Sequence, residues 1–133
     1  MKIESDHKVI NGDSATVFNF LNDLNNYDIL FPQDKVENWQ ATAEQCSCKI
    51  KGLSDIGLKK VASTPNSLIY LDSFGKSPIK FTLNIYLSAT DDNKTNAYLI
   101  FEGDINPFMK MMLEKPLTTL FNNIVVRLEK KFN

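Results

Sequence analysis

The sequence predicts an α+β fold in which a curved antiparallel sheet of about seven strands wraps around a long C-terminal helix, with two short helices after the first strand. Two observations predict it. From Pro107 to Phe132, apolar residues recur at spacings of three and four (Met109, Met112, Leu113, Leu117, Leu120, Phe121, Ile124, Leu128, Phe132), which puts them on one face of a helix. Between Lys35 and Asp104 the apolar period is two, broken at short intervals by turn residues. A helix of that length spans roughly 39 Å. Its stripe needs a sheet to lie on, and that pairing tends to leave an apolar space between the two.

Each element follows in chain order. Lys2 to Ile10 alternates, with Ile3, Ser5, His7 and Val9 on one face and Lys2, Glu4, Asp6 and Lys8 on the other, and reads as a half-buried strand. Gly12-Asp13-Ser14 breaks it, and Asp13 or Ser14 can cap the helix whose stripe is Val17, Phe18, Leu21 and Leu24. Asn25-Asn26 ends that helix, and a helical turn over Tyr27 to Phe31 is stopped by Pro32. The strands are Val36 to Gln40, Ala43 to Lys51, Ile56 to Ser63, Leu68 to Phe74, Ile79 to Ala89 and Thr95 to Asp104. Turns at Thr64-Pro65-Asn66, at Gly75 to Pro78 and at Asp91 to Lys94 separate the later ones. Phe81, Leu83, Ile85 and Leu87 make the clearest one-faced strand. Asn106 caps the terminal helix with Pro107 at its first position. Strands joined by short turns pair antiparallel.

The order of strand, small helices, meander and long terminal helix resembles the START-like, or SRPBCC, superfamily and its helix-grip fold. Three stretches carry the resemblance: Ser14 to Leu21 followed by Asn25-Asn26-Tyr27, then Val36 to Trp39, then Asn106 to Phe132. The resemblance covers essentially the whole chain and implies a hydrophobic cavity between sheet and terminal helix. Members of that superfamily use the cavity for lipids, polyketides, isoprenoid quinones and other apolar molecules. The short chain implies a ligand smaller than a full phospholipid.

Composition bounds the function. A chain of 133 residues is a single domain, 1–133, long enough to bury a core without staples. A net charge of −1 gives no electrostatic footprint for nucleic acid. No apolar run is long enough to span a membrane, and the charged opening MKIESDHKVI lacks a signal peptide's apolar core. Two cysteines without an export signal fit a reducing compartment, so the expectation is a cytoplasmic protein with free thiols.

The residues expected to line the pocket are Trp39, Cys46, Cys48, Phe81, Leu83, Ile85, Tyr98, Met109, Met112, Leu113 and Leu120, acting by shape and burial. Trp39, Tyr70, Tyr86 and Tyr98 could place polar tips inside it. Cys46 and Cys48, two apart on a strand, point the same way and read as small inward hydrophobes; zinc would want more ligands than one distant histidine supplies. His7, the only histidine, is a candidate acid–base residue, and no cofactor or metal is called for. Pro116 reads either as a hinge or as a fixed bend of the long helix. Lys49, Lys51, Lys59 and Lys60 read as a solvated sheet face, and Glu102 and Asp104 either as pocket-rim residues or simply as solvated ones.

The function expected is therefore non-catalytic binding or carriage of a small hydrophobic molecule. An enzyme of the polyketide cyclase or dehydratase type, resting on His7 and Tyr98, is one alternative. The other is a protein-interaction module, with Tyr86, Tyr98 and Met111 on an exposed patch. Apolar residues on both sheet faces also allow a homodimer that covers the convex face.

Overall fold

A computed structural model describes all 133 residues. Strands β1 (Lys2–Glu4) and β2 (Lys8–Ile10) precede helix α1 (Ser14–Leu21) and a 3-10 helix (Leu24–Leu30). Strands β3 (Val36–Ala41), β4 (Gln45–Ile50), β5 (Ser54–Thr64), β6 (Leu68–Ser73), β7 (Phe81–Ala89) and β8 (Thr95–Gly103) follow, and helix α2 (Pro107–Lys131) closes the fold. All pairings are antiparallel, in the order β1-β8-β7-β6-β5-β4-β3, with β2 also on β8. The sheet thus has eight strands along seven positions, because the expected opening strand is two short ones.

The break has a simple cause. Glu4 lies opposite Ile100 and Lys8 opposite Ala97, so the first strand carries one residue more than its partner over this stretch. One extra residue reverses every later side chain. Ile3 and Ser5 face inward as expected, but Val9 turns out to 48% exposure and Ile10 becomes fully buried. The freed groups are satisfied locally. The Ser5 hydroxyl oxygen accepts the Leu99 N–H at 2.8 Å, and the Asp6 N–H donates to Asn122 Oδ1 of α2 at 2.8 Å.

Helix α1 starts where Asp13 accepts the Thr16 N–H at 2.8 Å, which also holds the Asp13 carboxyl below its ordinary range. It stops earlier than expected because Asp23 opens the 3-10 helix by accepting the Asn25 N–H, so Leu24 belongs to that second element. The end of α1 is sealed by side chains. Asn26 Nδ2 donates to the Phe20 carbonyl at 2.9 Å and the buried Tyr27 hydroxyl to that of Leu21 at 2.7 Å. The Lys60 ammonium donates to that of Asn22 at 2.8 Å, while Glu44 stands 3.6 Å away. A cation at a helix C-terminus is also favourable to its dipole. Lys60 therefore leaves the lysine group read as one solvated face: it and Lys59 are neighbours on β5 and point oppositely.

The sheet curls because its later strands are irregular. Asn38 adopts a positive φ of 57° at a bulge in β3, and β5 shifts register between Lys60 and Ala62. Gly57 lets β5 approach the β6–β7 connection closely, since a Cβ there would sit 2.4 Å from the Phe74 carbonyl oxygen. Helix α2 begins with Asn106 accepting the Met109 N–H at 2.8 Å, as expected. Past Pro116 it buries Leu117, Leu120, Phe121, Ile124, Val125 and Leu128 against β1, β2, β8 and the 3-10 helix. Before Pro116 it buries nothing fully. Met109 and Leu113 are half-buried and Met112 is 60% exposed, so the expected stripe is continuous only in its second half.

Two substitutions test this framework by chemical denaturation. Gly57→Ala should cost about 2 kcal/mol through overpacking against the Phe74 backbone. Tyr27→Phe should cost about 1–2 kcal/mol by leaving the buried Leu21 carbonyl without its donor. Unchanged midpoints would contradict both readings.

Candidate functional site

The inward positions of β5, β7 and β8 carry Ile56, Leu58, Phe81, Leu83 and Phe101, and α2 faces them with Leu113, Leu117, Phe121 and Ile124. An apolar cavity lies between these two sets, with the buried Phe31, just after the 3-10 helix, on its wall and the more exposed Leu53, Pro78 and Ile79 at its outer side. Its volume, as space open to the centre of a water-sized sphere, is about 40 Å³. Phe101 packs against both Phe81 and Phe121 with tilted rings, centroids 5.2 Å apart in each pair, so three rings form one continuous wall. A second, smaller void of about 10 Å³ lies deeper and is lined only by hydrophobic residues, Tyr27, Ile85 and Leu128 among them. Phe31, Leu58, Leu83 and Ile124 border both voids and separate them. Asp55 is the single charged residue on the outer wall; its register with Lys49 puts it on the outward-facing side of β5.

The expected site residues divide clearly. Phe81, Leu83 and Leu113 line the outer cavity and Ile85 the inner void. Cys46 and Cys48 are buried opposite Leu58 and Ile56, but neither lines the two apolar voids; Cys48 borders a separate, largely polar cleft with Asn38, Gln40 and Lys76. Burial pushes their thiols up to about 12 and about 11, with smaller contributions from Cys48 on Cys46 and from Asp55 on Cys48. Thiols so placed are protonated at neutral pH and unreactive. Trp39 stands one layer back, edge-on to Phe31 with ring centroids 5.5 Å apart. Leu120 is buried along a surface groove with Ile50 and Pro116. Met109 is half-buried off the wall, and Met112 points to solvent because it shares the outward row of the helix with Pro116, Thr119 and Asn123, all exposed.

Tyr98 is on the opposite face. The alternation that buries Ala97, Leu99 and Phe101 sends Tyr98 outward, where it stacks between His7 at 4.0 Å and Tyr86 at 5.1 Å. His7 Nε2 lies 2.6 Å from the Glu4 carboxylate, with both side chains about half exposed. The extra residue in the opening strand is what removes His7 from the interior. The two residues on which acid–base chemistry was expected to rest thus sit together on the convex face, away from the cavity. Glu102 is exposed late in β8 and Asp104 just beyond it, on the sheet rim.

Several wall residues were not singled out from the sequence. Leu117, Phe121 and Ile124 sit in the helical stripe and Phe101 in the β8 alternation, so the period was there to find them. Phe31 had no such signal, because it follows an irregular helical turn whose direction no period sets.

No family model matches the sequence, and no curated protein matches it. Solved structures do resemble the fold. A START superfamily protein from Mycobacterium smegmatis aligns with a TM-score of 0.70 at 11% identity, over 98% of this chain and 96% of that one. A point mutant of norcoclaurine synthase from Thalictrum flavum, in complex with a transition-state analogue, aligns at 0.78 and 9% identity over 99% and 93%. The Aha1 dimer from Colwellia psychrerythraea aligns at 0.69 and 11% over 99% and 96%. The alignments run over nearly the whole of each chain, and with the curved antiparallel sheet and long terminal helix they show that the chain has the START-like helix-grip fold.

Proposed function

We propose that the protein binds or carries a small hydrophobic molecule between α2 and the concave face of the sheet. The observation that carries this reading is the pair of neighbouring apolar voids, divided only by Phe31, Leu58, Leu83 and Ile124. A dry, apolar space attracts a ligand by burial, at about 25 cal/mol for each Å² removed from water. The likeness in fold to a START superfamily protein, and to a synthase whose structure holds a transition-state analogue, supports reading the fold as one that takes a small-molecule ligand.

The volume limits what enters without movement. About 40 Å³ of free space takes a few heavy atoms, and anything larger requires the wall to yield. The side most able to yield is the segment of α2 before Pro116. It contributes Leu113 alone to the wall, and the proline removes one backbone hydrogen bond from the helix at that point. The hinge reading of Pro116 therefore belongs to this proposal, with the ligand separating the first turns of α2 from the sheet.

Native mass spectrometry of freshly purified protein, followed by solvent extraction, tests the proposal. The expected result is a discrete adduct that releases an apolar compound and is absent from Leu113→Trp, whose ring would occupy the half-buried mouth. Leu83→Trp should remove the adduct too, with circular dichroism to verify its fold. A bare mass, together with no uptake of small apolar probes, would overturn the proposal.

A further inference from the structure

The four residues that divide the two voids are not held alike. Leu58, Leu83 and Ile124 belong to β5, β7 and the second half of α2, where strand pairing and helical packing fix them. Phe31 belongs to no regular element. It follows the 3-10 helix in an extended conformation, φ −91° and ψ 154°, and Pro32 comes next. The proline confines the backbone before it to extended angles, and the Gln33 side-chain amide donates to the Phe31 carbonyl at 3.3 Å. The side chain is only 2% exposed, and the Trp39 ring meets it edge-on at 5.5 Å.

The bulge in β3 brings Trp39 there. Glu37 pairs with Lys49 and Gln40 with Ser47, so Asn38 and Trp39 together oppose the single residue Cys48. Asn38 takes up the positive φ, and Trp39 lies half-buried against Phe31. Trp39 lines neither void, so it stands behind the partition and not on it.

The voids also differ in lining. Four phenyl rings, of Phe31, Phe81, Phe101 and Phe121, border the outer one, whereas the inner one is bordered by aliphatic side chains apart from Phe31 and Tyr27. Rings pack on rings at offset or tilted angles, so the outer void suits a flat ring. It can widen toward the first turns of α2, but it cannot deepen while Phe31 stands. An extended chain would need both voids at once.

We infer that Phe31, backed by Trp39, sets the inner limit of the binding space and restricts the ligand to a compact, ring-sized apolar molecule in place of an extended acyl or isoprenoid chain. The inference rests on the carrier reading above and names the class of ligand which that reading leaves open. Phe31 does the selecting, and Trp39 is a positioning residue that acts through it.

Isothermal titration calorimetry with toluene and n-hexylbenzene tests it, and the quantity read is the ratio of the two affinities. Each methylene that gains apolar surroundings raises affinity roughly fourfold, so burial of the whole hexyl chain would give a ratio of about a thousand. The wild type should bind toluene and show a ratio below about ten. Phe31→Ala, which joins the voids, should raise that ratio by about tenfold or more. Phe31→Leu should raise it by a smaller factor and serves if the alanine variant does not fold, which near-ultraviolet circular dichroism checks. Trp39→Ala should raise it too, although this residue touches neither void; a merely structural loss would weaken both ligands alike. A ratio unchanged in folded Phe31→Leu, or a wild-type ratio already near a thousand, would overturn the inference and leave the carrier reading in place. An unchanged ratio in Trp39→Ala would overturn the part given to that residue. Failure of the wild type to bind either probe would overturn both readings.

Discussion

The fold depends on the contact between the second half of α2 and the concave face of the sheet. Leu117, Leu120, Phe121, Ile124, Val125 and Leu128 are the only fully buried part of that helix, and most inward residues of β7 and β8 find their cover there. At roughly 2–5 kcal/mol for truncating a buried leucine, a few of these side chains account for stability comparable to that of a whole domain. The first half of the helix is freed from this duty. It contributes only Leu113 to the cavity wall, while Leu117, Phe121 and Ile124 of the second half supply the rest of the helical side.

Polar groups keep the arrangement in register. The carbonyl end of α1 would be an unsatisfied edge inside the fold, yet Asn26, Tyr27 and Lys60 each meet one of its last carbonyls. The lysine comes from β5 and the other two from the 3-10 helix, so this small cluster locks both helical elements to the sheet. The hydrophobic contacts give burial, and these bonds give position. The cavity floor, including Phe31, is held by the same junction.

Most of the architecture was legible in the sequence because it is written in periods. Alternation located β3 to β8 to within two residues at most ends, and the residues named for the clearest strand (Phe81, Leu83, Ile85, Leu87) are all buried. Caps at Asp13 and Asn106 were readable because capping chemistry is local. What was not legible came from single-residue events. One extra residue in the opening strand sent His7 and Val9 to the outside, and no local signal marks it, since the register is set by β8 far along the chain. Met112 matched a spacing of three from Met109, but it equally continues the exposed row of Pro116, Thr119 and Asn123, and local spacing cannot choose between the two. Tyr98 belonged to a strand with apolar residues on both faces, so alternation alone could not assign its side.

The tie between Asp6 and Asn122 joins the first strand to the last helix, and the Met1 ammonium likewise donates to the Gly103 carbonyl at 2.7 Å. Contacts between such distant parts of the chain are slow to form, because the loop entropy is lost before they reward it. During synthesis the consequence is sharper. Residues 36 to 103 emerge as a sheet whose concave surface is greasy and uncovered, and α2, which shields it, is translated afterwards. For that interval the nascent chain leaves uncovered the part of the apolar trough that α1 and the 3-10 helix do not reach, a surface open to chaperones. The same helix that makes a container of the finished protein thus leaves its precursor as the kind of surface that must be guarded.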